Sequence, residues 1–231
     1  MERLVHIDSG RERRAAGSSA PRHRHDHAYA AIVLAGGYEE SGSGGRYRVG
    51  PGDVLFHDAF DAHLDRFGTG GAEILNLTLP APPKAVAGRV SDADTLVRLA
   101  ASDNAAALAC LFDQVRAAPL AATDWPDLLA ADLLEDPELR LDDWADAHGL
   151  AAETLSRGFG KLYGVTPAGF RAEARARRAL RRILHTAAPL AEIALATGHA
   201  DQPHMTRAVK ALTGAAPRQW RTSNPFKTAP I

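Results

Sequence analysis

Apolar and polar residues follow two different patterns along the chain, and the change between them falls close to residue 83. Residues 31–79 contain short runs of Val, Ile, Leu and Phe separated by Gly-rich turns such as SGSGG and GTGG. A Pro-Gly-Asp turn at Pro51–Asp53 comes directly before the apolar run Val54–Phe56. Several short strands joined by such turns, with no helix between them, predict a small antiparallel β-barrel or sandwich.

Beyond Pro80–Pro83 the pattern becomes helical. From Ser91 onward Ala, Leu and charged residues dominate. Four apolar side chains follow the three- and four-residue spacing of a helix: Leu108, Leu111, Phe112 and Val115. We predict two short helices here, the second capped by Ser102 or Asp103, and a third helix around Trp125–Leu134. These helices could join two protomers or separate two domains, but packing on the β-domain is the interpretation we favour.

Two segments further along the chain are similar to each other. Residues 141–159 (LDDWADAHGLAAETLSRGF) and residues 190–209 (LAEIALATGHADQPHMTRAV) each contain a Leu, a first helix with Ala, a Gly and a second helix. Gly149 and Gly198 suit a sharp left-handed turn after the first helix, because they carry no Cβ. The core positions also align: Leu155 with Met205, and Phe159 with Val209. The pattern predicts a duplicated helix-turn-helix.

The chain as a whole is therefore predicted to be an α+β protein with a β-domain followed by an all-α domain. We assign residues 1–83 to the β-barrel, residues 84–136 to a helical connector and residues 137–223 to the double helix-turn-helix domain. The two helix-turn-helix copies are expected at about residues 141–161 and 190–212.

The second helix of such a motif presents one face to the core and the other to the major groove of DNA. Residue types suited to reading base edges occur on the predicted outer faces: Ser156 and Arg157 in the first copy, and Gln202, His204, Thr206 and Arg207 in the second. Basic side chains placed to contact phosphates are Lys161, Lys210, Arg171 and Arg178.

The charge distribution agrees with a polyanionic partner for the C-terminal part. Residues 141–231 carry 13 basic and 7 acidic side chains, a net charge of +6, whereas the rest of the chain has a net charge of −7. Six arginines lie between the two copies, within residues 170–185. An isolated Arg-rich helix is usually just a solvated surface, but the two flanking motifs favour DNA contacts here.

Residues 137–223 resemble the DNA-binding domain of the AraC/XylS family of transcription regulators. The resemblance is carried by the first copy with Gly149 and Arg157, by GVTPAGFR at 164–171, and by PLAEIALATGHADQPHMTRAVKALTGAAPRQWR at 189–221. A Gly, a Pro and an aromatic-Arg pair follow both copies, the second time as Gly214, Pro217, Trp220 and Arg221. The resemblance implies two recognition helices that read adjacent major-groove segments of one duplex.

The first copy departs from the family's pattern. Ala151 stands where a capping residue such as Ser is usual, and Gly158 and Gly160 interrupt the recognition helix. Each interior Gly costs about 1 kcal/mol relative to Ala, so this helix should be loosely formed or depend on packing. In the second copy His199 replaces the usual aromatic residue after the turn. We expect the second copy to supply most base contacts.

Residues 21–80 resemble a cupin, the small β-barrel that often serves as the sensory domain in this family. A metal-binding cupin places His-x-His on one strand and a later His on a facing strand, usually with a Glu. His25, His27 and His63 are the candidate ligands, with His23 and His57 as competitors. No acidic residue occurs in Ala28–Leu34, where the Glu is expected. We therefore favour a pocket for a small-molecule effector over a divalent metal site.

We expect a DNA-binding transcription regulator with a ligand-sensing β-domain, and not an enzyme. Two other hypotheses are a metal-dependent cupin enzyme with a helical appendage and an architectural protein that binds DNA without sequence preference. The expected partner is double-stranded DNA, with a small-molecule effector, RNA polymerase and a second copy of the chain as further candidates. One cysteine, Cys110, and the lack of any apolar segment long enough for a membrane span or a signal peptide favour the cytoplasm.

Overall fold

The computed structural model describes residues 3–81, 85–136 and 138–222, and it divides into two compact units. The N-terminal unit is Met1–Asp127 and the C-terminal unit is Leu128–Ile231. The division falls inside the range 84–136, which sequence analysis assigned to a connector. The predicted domain limits at residues 1, 83, 84, 137 and 223 lie outside the described residues.

The N-terminal unit is built from β-strands and two helices, and a third helix begins at its end. The strands are β1 (Arg3–Val5), β2 (Gly10–Arg14), β3 (Ser19–His25), β4 (Tyr29–Gly42), β5 (Gly45–Val49), β6 (Asp53–His57), β7 (Ala62–Thr78), β8 (Ala87–Arg89) and β9 (Arg116–Ala117). The helices are α1 (Ala93–Ala100), α2 (Asn104–Gln114) and α3 (Trp125–Glu135). The three predicted helices are thus confirmed, and Asp103 caps α2 by accepting a hydrogen bond from the backbone N–H of Ala106 at 3.0 Å.

All the described strands belong to one mixed sheet with the order β1-β3-β7-β4-β6-β8-β9; in addition β2 pairs with β7 and β5 pairs with β4. The pairing is antiparallel as predicted, except between β1 and β3, which run parallel. The long strands β4 and β7 pair along most of their length, with register shifts near Leu34 and Gly37. They bring residues from both ends of β4 together with the residues of β7.

Alternating residues of β4 supply two separate cores. Ala30 and Ile32 belong to a cluster that includes Leu96 of α1 and Leu111 of α2, all fully buried. The intervening residues, such as Ala31, pack in a second cluster on the opposite face of the strand. Because successive side chains of a strand point to opposite faces, this pattern buries both faces of β4. The predicted packing on the β-domain is confirmed for α1 and α2, whereas α3 belongs to the C-terminal unit from Leu128 onward.

A buried arginine holds the segment before α3 against the sheet. Arg46 of β5 is 3% exposed and makes a bidentate ion pair with Asp127, at 3.0 and 2.8 Å, and further ion pairs with Asp124 and Glu39. The backbone N–H of Ala122 also donates to the Arg46 carbonyl at 2.7 Å. The start of α3 is therefore fixed to β5 by charge as well as by backbone hydrogen bonds.

The C-terminal unit consists of helices. After the end of α3 come α4 (Leu141–Ala147), α5 (Ala152–Tyr163), α6 (Pro167–His185), α7 (Leu190–Ala196), α8 (Gln202–Thr213) and α9 (Pro217–Thr222). Helices α4 and α5 form the first predicted helix-turn-helix copy, and α7 and α8 form the second. The linking helix α6 has 19 residues and is about 28 Å long.

Within residues 3–81, 85–136 and 138–222, every helix is too short or too polar to cross a lipid bilayer.

Candidate functional site

The two helix-turn-helix copies share the same turn. Gly149 and Gly198 have φ values of 66° and 75°, in the left-handed region that favours glycine. The N–H of the residue after each glycine donates to a carbonyl in the first helix, that of Ala145 or of Ala194, at 2.9 Å in both copies. The predicted role of these two glycines is therefore present in the structure.

The inner face of each second helix also matches the prediction. Leu155 and Phe159 are buried in α5, and Met205 and Val209 are buried at the corresponding places in α8. In the first copy the ring of Phe159 stacks on Tyr163, with centroids 4.5 Å apart. Offset aromatic contacts of this kind, together with apolar burial, hold α5 in place despite its two glycines.

An arginine clamps each copy in the same way. After the first copy, Arg171 donates to the backbone carbonyl of Leu139 at 2.6 Å; after the second, Arg221 donates to that of Ala188 at 2.6 Å. Both carbonyls lie two residues before the first helix of their own copy. The aromatic-Arg pair that follows both copies in the sequence thus closes each motif on itself.

The outer face of α5 exposes the two side chains predicted to read bases in the first copy. Ser156 and Arg157 are both exposed. Arg157 forms an ion pair with Glu153, one turn earlier, at 3.4 Å. This pair is open to solvent and contributes little to stability, so it leaves the arginine available to a stronger anionic partner.

The outer face of α8 presents its predicted residues to different extents. Arg207 and Lys210 are exposed, whereas Gln202, His204 and Thr206 are half-buried. The ring of His204 meets the buried His199 of the turn edge to face, with centroids 5.3 Å apart. Arg207 is consequently the one exposed residue among the four predicted to read bases from α8.

The starts of the two recognition helices differ. No side chain caps α5, whose N-cap residue is Ala151, whereas Asp201 caps α8 by accepting a hydrogen bond from the His204 N–H at 2.6 Å. The missing cap at Ala151 was predicted from the sequence and the cap at Asp201 was not, although an Asp just before a Pro-containing helix start is a typical signal. An N-cap of this kind contributes about 1 kcal/mol.

The interior glycines of α5 allow a test of how much local helix preference limits the stability of this helix. Gly160 has ordinary helical φ, and a Cβ there would meet its nearest neighbour, the Val165 carbonyl oxygen, at 4.0 Å. We expect Gly160→Ala to raise the free energy of unfolding by about 0.5–1 kcal/mol, because Ala loses less backbone entropy in a helix. Urea denaturation of the full chain checks this, and a lower stability would contradict it.

The four candidate phosphate contacts fall into two groups. Lys161 and Lys210 lie on the exposed sides of the two recognition helices. Arg171 and Arg178 of α6 are half-buried, and each donates to a backbone carbonyl of its own unit, Arg178 to that of Leu134 at 3.4 Å. Phosphate binding stays a prediction for all four residues. The two arginines also make an observed hydrogen bond to a backbone carbonyl of their own unit.

A cluster of buried histidines occupies the inside of the β-domain. Two of the three predicted metal candidates, His25 and His63, come close together, and the third member of their group is His23. His27 is wrong as a partner in this group, since it is exposed and contacts Asp26 and His6 instead. The reason is that β3 ends at His25, so the regular alternation of side chains does not continue to residue 27.

The protonation of these histidines is set by burial. Nδ1 of His23 lies 2.9 Å from the Pro21 carbonyl oxygen, and Nδ1 of His25 lies 2.9 Å from that of Val5. Burial lowers the pKa of His25 to about 4 and the pKa of His63 well below its ordinary value. At neutral pH these imidazoles are uncharged, and Nδ1–H of His23 and of His25 donates to its carbonyl, which leaves Nε2 free as an acceptor.

A carboxylate is present in the cluster, contrary to the expectation from Ala28–Leu34. Glu40, from the far end of β4, is buried with its Oε2 3.6 Å from Nε2 of His57. It pairs across the sheet with Asp65, and Gly42 pairs with His63. The sequence interval between His25 and Glu40 hides this proximity, because β7 pairs near His63 with β3 on one side and with the end of β4 on the other.

Comparison with known proteins places the C-terminal helices in a family. The model of the family described as "Helix-turn-helix domain" matches residues 144–223. Curated protein sequences give no match.

Solved structures with a similar arrangement were also found. The C-terminal domain of AraT, a response regulator from Geobacillus stearothermophilus, is 20% identical, with 47% of this chain and 93% of that chain covered and a TM-score of 0.42. ToxT from Vibrio cholerae is 9% identical over 93% of this chain and 97% of its own, with a TM-score of 0.41. The DNA-binding domain of AdpA, a global transcriptional factor in complex with a target DNA, is 19% identical, with 44% and 93% covered and a TM-score of 0.40.

The C-terminal helices combine the family match with the two turns, the two cores and the two arginine contacts described above. With these features on α4–α5 and α7–α8, the C-terminal unit contains a helix-turn-helix domain of the AraC type.

Proposed function

We propose that the protein binds specific DNA sequences through both helix-turn-helix copies and that a small ligand in the β-domain modulates this binding. The observation that carries the proposal is the repeated geometry of α4–α5 and α7–α8, with polar and basic side chains on both outer faces. Base readout is assigned to Ser156, Arg157, Gln202, His204, Thr206 and Arg207. Phosphate contacts are assigned to Lys161 and Lys210, and to Arg171 and Arg178 in addition to their carbonyl bonds.

The two copies contribute unequally in this proposal. The second recognition helix is capped by Asp201 and has no interior glycine, so its backbone is better defined before DNA arrives. The first has an uncapped start at Ala151 and relies on Phe159 packing. A preorganised helix loses less entropy on binding, which favours the second copy for base discrimination and the first for anchoring.

The length of α6 agrees with binding on one side of a duplex. Successive major-groove faces on one side of B-DNA recur about every 34 Å, and α6, about 28 Å long, would separate the two recognition helices by a comparable distance. Some bending of the DNA would make up the difference between these two lengths.

The proposal is tested by selecting bound sites from random DNA with the full chain, followed by gel-shift assays at several salt concentrations. We expect an enriched motif with two separated parts, and affinity for it well above that for random DNA. Binding with no sequence preference would support the architectural alternative and overturn sequence-specific regulation.

Arg207 is expected to carry sequence preference, whereas Lys210 is expected to carry general affinity. Arg207→Ala should lose about 1–3 kcal/mol of discrimination at its base pair, because a bidentate guanidinium contact is specific for guanine. Lys210→Ala, three residues later on the same exposed face, should weaken selected and random DNA by similar factors and reduce the salt dependence. Equal losses on both DNAs for Arg207→Ala would contradict the assignment.

The ligand-sensing part of the proposal is supported by a cavity in the β-domain. It is lined by histidine, carboxylate and tyrosine side chains, among them His25, Tyr29, Glu40 and Asp65. We also propose RNA polymerase and a second copy of the chain as partners, and a cytoplasmic location where DNA is accessible. Sedimentation with and without selected DNA would show whether one or two chains bind each site.

A further inference from the structure

We infer that the N-terminal unit binds one divalent transition-metal ion between Glu40, His57 and His63. The three residues come from three strands, β4, β6 and β7, so only the folded sheet brings them together. One ligand atom of each residue lies within 4.8 Å of the others. The ion would be the ligand of the sensory unit; its regulatory meaning, though not the existence of the site, depends on the proposed function.

The separation of the ligand atoms suits an ion of this size. Nε2 of His57 and Oε2 of Glu40 are 3.6 Å apart. Two ligand atoms bound at about 2.1 Å to a tetrahedral ion lie about 3.4 Å apart. Small side-chain movements would therefore complete the coordination. The three residues also line a cavity together with Ser43 and Asp61, which leaves room for a water ligand.

The hydrogen bonding of these side chains is incomplete. Nε2 of His57 and Nδ1 of His63 are buried and have no hydrogen-bond partner among the described residues. Both rings are almost completely inaccessible, at 5% and 3% exposure for the residues. A buried nitrogen without a partner costs about 1–3 kcal/mol, and coordination of an ion by its lone pair would remove that cost.

Charge favours this set over the neighbouring group of histidines. His23, His25 and His63 offer three imidazole nitrogens but no carboxylate ligand atom. Beside Glu40, by contrast, Asp65 is the cross-strand partner and Asp61 lines the same cavity, so two further carboxyl groups can offer negative charge next to the site. A dication in a buried site needs such compensation. Imidazole and carboxylate together are the ligands of zinc, iron, nickel and cobalt.

Gly42 provides the space for one ligand. It pairs across the sheet with His63, and a Cβ on Gly42 would lie 2.8 Å from the Cβ of His63. Any larger residue at position 42 would displace the imidazole from the site. The glycine therefore allows the close approach of β4 and β7 at the point where Glu40 and His63 meet.

The test is a titration of the full chain, without a polyhistidine tag, with Zn²⁺ by calorimetry and with Co²⁺ by visible absorption. We expect one ion per chain, with Co²⁺ bands typical of nitrogen and oxygen ligands. Glu40→Gln and His57→Gln should each weaken binding more than about 100-fold, since the loss even of supporting residues costs 10–100-fold.

Two variants serve as matched controls. Asp26→Asn and His27→Asn each remove a ligand of the exposed group that these residues form with His6, away from the buried site. Each should change affinity less than about threefold. Near-UV circular dichroism and affinity for selected DNA verify folding of every variant.

The inference is overturned by the absence of a stoichiometric ion, or by a loss in either control as large as that in Glu40→Gln. Because the titration contains no DNA, failure of metal binding and failure of DNA binding are separate results.

Discussion

Replacement of Arg46 by Met is expected to lower the free energy of unfolding by about 3–5 kcal/mol, as is typical when one partner of a buried ion pair is removed. The methionine side chain would fill most of the space but could not compensate charge. Asp127, 9% exposed, would lose both hydrogen bonds from the guanidinium, and Glu39 would lose one. The cost arises chiefly at Asp127, which is buried and would lose its counter-charge while keeping the hydrogen bond from the Asp124 N–H.

The expected consequence is local as well as global. Arg46 holds the segment that leads into α3, so its loss should increase amide hydrogen exchange at Ala122 and at the first turn of α3. Urea denaturation followed by calorimetry gives the stability change, and exchange measured by mass spectrometry locates it.

Arg48→Met is the matched control for this experiment. Arg48 lies on the same strand and also pairs with Glu39, at 3.0 Å, but its side chain is 72% exposed. Exposed pairs contribute little, so the change should stay below about 1 kcal/mol. Similar losses for the two variants would show that burial of Arg46 is not what stabilises the segment.

Replacement of Phe159 by Ala should have a comparable effect in the C-terminal unit, about 3–5 kcal/mol, because a fully buried aromatic ring leaves a cavity. Phe159 is 0% exposed and contacts the rings of Tyr163 and Phe170, with centroids at 4.5 and 5.5 Å. Because no side chain caps α5 and the helix has two interior glycines, its stability must come largely from packing against its neighbours.

This variant should also weaken binding to the selected DNA, because the first recognition helix would no longer hold Ser156 and Arg157 in place. Tryptophan fluorescence in urea measures the stability, and gel shifts measure the affinity. Leu195→Ala, at a 68% exposed position of α7, is the control and should change stability by less than about 0.5 kcal/mol. A loss below about 1 kcal/mol for Phe159→Ala would mean that α5 does not depend on this ring.

For the C-terminal site, the sequence predicted the two glycine turns and the buried face of each recognition helix. Gly149, Leu155 and Phe159 follow local rules of turn geometry and helical spacing, and their counterparts in the second copy repeat those rules. The exposure of each outer residue was not predictable, because it depends on neighbours distant in sequence. His204 is half-buried since it meets His199, and Arg171 is engaged since the Leu139 carbonyl comes within reach.

The sequence indicated that histidines come together in the β-domain, but it did not indicate which residues form the group. A His-rich segment and a later His indicate a shared pocket, yet two errors followed from the choice of partners. His27 was included although it lies beyond the end of β3, and Glu40 was not considered because its position in the sequence is remote from the histidines.

The sequence by itself determined the strands within residues 31–79, most of the helices and the duplication of the helix-turn-helix, because apolar spacing and turn residues act over a few positions of the chain. It did not indicate the strands β1–β3, β8 and β9, which lie outside that segment. Only the tertiary structure decided which groups are buried together. The approach of Glu40 to His57 and His63, and the enclosure of Arg46 by three carboxylates, depend on how β4 and β7 pair and on how the later segment folds back. Such contacts join residues that are distant along the chain, so local pattern carries no information about them.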